Sequence, residues 1–248
     1  MTLLAILFLV TSILYSSVGF GGGSTYLALL LIWNVPYFIF PIIALSCNII
    51  VVSGNCFNYI KAGNLNLKLL YPYLIGSIPL AYIGGTLPIE KKLFEIILFL
   101  VLFTAAILLL LNFKSYDDKK TSYKKIPIYF SIFIGSFLGL ISGIIGIGGG
   151  IFLSPILFLL RVGRPKHIIT AVSIFILINS ISGILGQLSK NVTLNDIYNY
   201  WYLIFVVLIG GQIGNYLNLN IFSSRTLALL TGGLILFVAM RMGLNLLN

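Results

Sequence analysis

The chain has 248 residues, 59% of them hydrophobic and 8% charged, with a mean hydropathy of +1.10. An ordinary soluble domain is about 25% charged, so a water-facing globular surface is excluded and an all-α polytopic membrane protein is expected. The net charge of +10, from 15 Lys and Arg against 5 Asp and Glu, would suggest nucleic acid in a soluble chain. Here most basic residues fall in short loops and no basic stripe is interleaved with aromatics, so the expected partner is the lipid bilayer and not nucleic acid.

The first apolar run covers 2–18. It has no basic n-region and no small-residue cleavage site, and is read as a membrane segment rather than a cleaved signal peptide. Further apolar segments follow at 24–33, 36–57, 69–88 and 95–113, then 126–143, 151–160, 168–187, 198–217 and 226–244. Most approach the roughly 20 helical residues that cross a bilayer. The two short ones, 24–33 and 151–160, each follow a glycine cluster. The one strongly polar stretch, KSYDDKKTSYKK at 114–125, separates a first transmembrane repeat, 1–113, from a second, 126–248. Cys47 and Cys56 lie in an apolar segment without metal-ligand company, so buried free thiols are expected, with no metal and no other cofactor.

The halves match in order. GFGGG at 19–23 corresponds to GIGGG at 146–150, and Ala44 and Ser46 to Ala171 and Ser173, all at an offset of 127. Pro36 corresponds to Pro165 and Ser53-Gly54 to Ser182-Gly183 at 129, and Gly84-Gly85 to Gly210-Gly211 at 126. We read an internal duplication. If the segments flanking each glycine cluster return the chain to the side it left, as two passes or as a re-entrant hairpin, a cytoplasmic 114–125 places 11 Lys and Arg inside and 4 outside. If each cluster only kinks one long helix, the count is 9 against 6. The first arrangement fits the excess of cytoplasmic positive charge better. It puts the N-terminus outside and makes the halves two inverted-topology repeats, a plan common among secondary transporters. The location is then an integral, multi-pass membrane one, the plasma membrane if the source is prokaryotic.

The chemistry sits at the glycines. Each cluster has four glycines within five positions beside an apolar helix. Each glycine costs roughly 1 kcal/mol in a helix interior relative to alanine, so the helices should break there. In lipid, freed backbone groups are tolerated only against protein or a water-filled cavity. The helices starting near Ser24 and Ile151 would aim free N–H groups and a positive dipole end at the break, which suits an anion. The competing reading is close helix packing through small residues; the duplication of the cluster favours a substrate site. The candidate residues are Gly19, Gly21, Gly22, Gly23, Ser24, Thr25, Ser46, Asn48 and Asn55, then Gly146, Gly148, Gly149, Gly150, Ser173, Asn179, Ser182 and Gln187. Asn48 and Asn55 share a helix face, as do Ser173 and Ser180.

Other chemistry is missing. The five acids, Glu90, Glu95, Asp117, Asp118 and Asp196, are all expected in loops, which disfavours a carboxylate proton relay. Sodium held by backbone carbonyls stays open. An inside-negative potential drives anions out by about 2.3 kcal/mol per charge per 100 mV, so efflux or facilitated movement is expected. GFGGGSTY lacks the P-loop lysine, no cluster suggests a catalytic metal, and His167 is read as a solvated loop residue, so no enzyme is expected. Asn191-Val192-Thr193 is a three-residue sequon match.

The stretches YSSVGFGGGSTYLALLL at 15–31 and GLISGIIGIGGGIFLSPILFLLRVGRPKHIITAVS at 139–173 resemble the sulfite exporter TauE/SafE family, and the resemblance extends over essentially the whole chain. It implies a polytopic permease moving sulfur-containing anions such as sulfite or organosulfonates, commonly by export. The motif carries over to Gly19, Gly21, Gly22 and Gly23, and to Gly146, Gly148, Gly149, Gly150 and Pro155, with Ala28 standing where Pro155 stands in the second half. A permease for another small anion or a carboxylate, and a non-transporting membrane scaffold, remain alternatives. The sequence leaves open whether the chain forms a homo-oligomer.

Overall fold

The computed structural model describes residues 2–112, 126–160, 162–190, 197–220 and scattered positions from 229 to 244. The linker 114–125, the sequon, Asp196, Arg161, Arg225, Arg241 and most of the apolar run 226–244 therefore lie outside the described residues. All regular elements among the described residues are helical: α1 Thr2–Ser16, α2 Gly23–Ile32, a short 3-10 turn Tyr37–Ile39, α3 Phe40–Lys61, α4 Leu67–Thr86, α5 Lys91–Asn112, α6 Ile128–Ile145, α7 Gly150–Leu160, α8 Pro165–Leu188 and α9 Tyr202–Asn220. Four of these, α3, α4, α6 and α8, are long and apolar enough to cross a membrane. At about 1.5 Å per residue, α1, α2 and α7 fall short of the roughly 30 Å hydrocarbon core.

Backbone chemistry sets the helix ends. Gly19 adopts φ +84, and the Phe20 amide reaches the Tyr15 carbonyl at 2.8 Å while the Gly19 amide reaches Ser16 at 3.0 Å. This is a Schellman cap, which needs a left-handed residue where glycine stands. Gly146, at φ +90, closes α6 through its amide on the Ser142 carbonyl at 2.8 Å. After the first stop the chain reverses. The Phe8 and Tyr26 rings stack at 4.6 Å and the Tyr15 hydroxyl lies 2.8 Å from Thr25 Oγ1, so α2 runs back along α1.

Two sequence expectations need correction. Glu95 lies in α5, not in a loop, because that helix starts at Lys91; its carboxylate sits 3.8 Å from Lys91 Nζ, one turn back. His167 lies in the first turn of α8, because Pro165 opens that helix with its φ already suited to it.

Small residues decide the packing. Gly135, Gly139 and Gly143 form one stripe of α6, and a Cβ on each would strike the carbonyls of Tyr73, Ser77 and Ala81 of α4 in turn. The registers rise together, so α4 and α6 are parallel. The Ser182 hydroxyl donates to the Ile78 carbonyl at 2.6 Å and Gly186 sits against Tyr82, so α8 also runs parallel to α4. On the other flank, Gly210 packs on Leu9 and Ser12, and Gly214 on Ile13 and Ser16, so α9 is parallel to α1. Between the flanks α3 and α8 meet head to tail: Leu45 lies against Gly183, while Tyr59 and Ile169 both lie at Gly19. Lipid gives no hydrophobic drive between helices, so such backbone-to-backbone approach supplies the association. Gly139→Leu is therefore expected to separate α4 from α6, with loss of the folded monomer peak in detergent size-exclusion chromatography.

Candidate functional site

The two glycine turns arrive at one side chain. Asn48 of α3 is fully buried, and its Nδ2 donates to the Ile147 carbonyl of the second turn at 2.9 Å. The first turn lies against the same amide. A Cβ on Gly23 would sit 2.6 Å from Asn48 Nδ2 and 2.8 Å from the Ile147 oxygen, and one on Gly21 would strike Asn48 Oδ1. A Cβ on Gly148 would sit 2.9 Å from Asn48 Nδ2 and 3.1 Å from Ser180 Oγ. Only hydrogen at these three positions lets both backbones close on the amide. Asn48 Oδ1 and Ser180 Oγ are buried without a hydrogen-bond partner.

Both short helices start at this junction. The Thr25 and Tyr26 amides bond back to Gly22 at 3.1 and 3.0 Å, so the Gly23 and Ser24 amides precede the first backbone bond of α2. No side chain caps them. In α7 the Phe152 and Leu153 amides bond to Gly149 at 3.2 and 3.3 Å, which leaves Gly150 and Ile151 in the same position. These amides carry the partial positive charge of each helix start. The turns keep this geometry through Gly22 at φ +96, Gly148 at +85 and Gly149 at +73.

The remaining candidates divide. Ser173 Oγ donates to the Gly19 carbonyl at 2.6 Å and ties α8 to the first turn. Ser24 Oγ and Thr25 Oγ1 lie 2.9 and 2.8 Å from the Tyr15 hydroxyl, inside the first hairpin. Asn55 accepts from the Ser16 hydroxyl at 2.8 Å and joins α3 to the end of α1. Asn179 bonds the Phe175 carbonyl one turn back at 2.8 Å, with its Oδ1 buried and unpartnered. Ser182 is taken up by α4, and Gln187 Nε2 donates to the Gly143 carbonyl at 2.7 Å. Ser46 is not brought to the junction; it faces a cavity of about 260 Å³ with Cys47, Tyr198 and Trp201. Cys47 and Cys56 are both free and buried, as expected. Sequence reading missed the Ile147 carbonyl, since a backbone acceptor leaves no mark in residue type. Ser180 was signalled only by sharing a face with Ser173.

The family model described as Sulfite exporter TauE/SafE matches residues 3–242. The chain belongs to the TauE/SafE family. It is 26% identical over 212 residues to a probable membrane transporter protein of Sinorhizobium fredii, covering 85% of each chain. It is 31% identical over 215 residues to a probable membrane transporter protein of Methanocaldococcus jannaschii, covering 81% of this chain and 77% of that one. No solved structure matches. The protein is thus a membrane transporter of the TauE/SafE family. The glycines that carried the resemblance are those of the two turns. Pro155 lies within α7, and Ala28 is buried in α2, so the second short helix carries a proline where the first does not.

Proposed function

We propose that this transporter exports a small sulfur-containing anion, such as sulfite or an organosulfonate, bound near the bilayer midplane between the two glycine turns. The observation that carries the reading is the convergence of both turns, and of the short-helix starts that follow them, on Asn48. A helix start contributes roughly 0.3–2 kcal/mol to an anion, and micromolar binding needs about 8 kcal/mol. The balance falls to polar groups at the junction: Asn48, Ser173, Ser180, Asn179 and the turn amides.

The halves act as inverted repeats. Two features support this. The helices matched by the duplication, α3 and α8, pack antiparallel, and the partner choices are exchanged: α4 lies on α6 and α8, as α9 lies on α1 and α3. Each glycine turn then closes a re-entrant hairpin, with linker 114–125 cytoplasmic and the N-terminus outside. Neither Glu90 nor Glu95, the acids among the described residues, lies at the junction, so anion exit runs on the membrane potential rather than on a carboxylate relay.

Proteoliposomes holding the purified chain test this. Sulfite or methanesulfonate flux is expected to saturate and to accelerate under a potential that drives anions outward. Flux indifferent to the imposed potential overturns export by this mechanism; stabilisation by carboxylates alone in a thermal-shift screen overturns the substrate class.

A further inference from the structure

A second cavity, of about 220 Å³, lies at the end of the molecule where α3 begins and α4 and α8 finish. Among its lining residues are Tyr37, Pro41, Pro88, Ile144, Gln187 and Lys190. Three observations make it more than a gap between helices. First, it holds a cation in an otherwise mostly apolar wall. Lys190 is only partly exposed, burial lowers its pKa, and among the described residues no carboxylate pairs with it. Its Nζ donates to Gln187 Oε1 at 3.0 Å. Second, Tyr37, Phe38 and Pro41 bring the 3-10 turn Tyr37–Ile39, and the start of the 22-residue helix α3 into which it leads, to the same cavity. Lys190 and this helix end place positive charge on one space. Third, the cavity adjoins the central junction. The Gln187 amide that Lys190 engages also holds the Gly143 carbonyl at 2.7 Å. Ile144 is in the last turn of α6, and Pro41 lies directly against Gly146. Set against a liquid volume of about 30 Å³ per water, the space admits a small oxyanion with part of its hydration.

We propose that this cavity is a second, peripheral site for a small oxyanion, a sulfite or a sulfonate headgroup, with Lys190 as its charge partner and Gln187 as the residue that orients Lys190. The site rests on the proposed anion transport: it holds the anion between the central junction and the aqueous phase opposite linker 114–125. A lysine ammonium has three donors; Gln187 takes up one and two are left to turn toward a ligand.

Two measurements on the full chain in proteoliposomes test the assignment. In the first, Lys190 in the unaltered protein is acylated with an amine-reactive reagent and quantified by peptide mass spectrometry, with and without methanesulfonate, against chloride as control. Lys190 is expected to be protected at least threefold by the sulfonate, while Lys91 and Lys92 are not. In the second, Lys190→Gln is expected to raise the KM for anion flux about tenfold, as for loss of one charged hydrogen bond, with kcat little changed. Lys190→Arg is expected to keep KM within about threefold. Protection without any saturable flux upholds the peripheral site and removes the transport reading. Saturable flux with unprotected Lys190 and an unchanged KM in Lys190→Gln overturns the site and leaves the transport reading standing. Absence of both overturns both. Because protection is read on the unaltered chain, a misfolded variant cannot mask the result.

Discussion

Gly22→Leu and Gly149→Leu are each expected to abolish anion-dependent thermal stabilisation and saturable flux. Gly22 sits at φ +96 and a Cβ there would lie 2.8 Å from the Tyr26 ring; Gly149 sits at φ +73, with a Cβ 3.0 Å from the Phe175 ring. A left-handed conformation costs an L-residue roughly 1–2 kcal/mol, and overpacking a filled site adds about 1–3 kcal/mol. Both changes move the start of a short helix that begins at the junction, so binding is expected to be lost before the long helices come apart. Gly63 provides the control. It is also left-handed, at φ +73, but a Cβ there meets nothing within 4 Å. Gly63→Ala therefore carries the backbone cost alone, and is expected to lower thermal stability slightly and leave flux intact. Thermal shift with sulfite and flux on the same preparations separate the cases. If both leucine variants keep the response, the anion binds elsewhere.

The sequence exposed the helices because hydropathy in a bilayer is a one-dimensional signal: the apolar runs 24–33, 69–88 and 151–160 fall within two residues of α2, α4 and α7. The ends that shifted did so for local reasons. Pro165 starts α8 three residues before the apolar run, which takes His167 into the helix. Lys91 and Lys92 lie in the first turn of α5, which takes in Glu95. Which residues would meet was less legible. Asn48 and Asn55 share a face and look equivalent in sequence, yet a difference of two turns along α3 carries one to both glycine turns and the other to Ser16. Ser46 precedes Asn48 by two positions and so points to another side of the same helix, toward Trp201. The stripe Gly135, Gly139 and Gly143 was not singled out in the sequence, because a small-residue face does not name the helix that fits it. Ser182 shows the consequence: a hydroxyl that reads as a binding candidate is taken up by a neighbouring carbonyl.

Asn48→Asp is expected to cut anion flux by at least a hundredfold, more than any other polar substitution at the junction. The change keeps the side-chain shape and removes the one donor that links α3 to the second turn, the 2.9 Å bond from Nδ2 to the Ile147 carbonyl. An oxygen then faces that carbonyl, and a buried acceptor left without its donor costs about 1–3 kcal/mol. A second effect acts on the substrate. If the new carboxylate is ionised, it opposes an anion at about 4 Å by roughly 4 kcal/mol at an effective dielectric constant of 20, which is close to a thousandfold in affinity. Asn48→Ala removes the donor without adding charge, so it should share the stability loss and lose less flux. The two variants therefore separate a structural tie from an electrostatic role. Equal flux in both, after matching for folded protein, would make Asn48 a strut between the glycine turns and place the anion beyond its reach. A deficit confined to the aspartate variant would put the anion beside the amide, where both turns close.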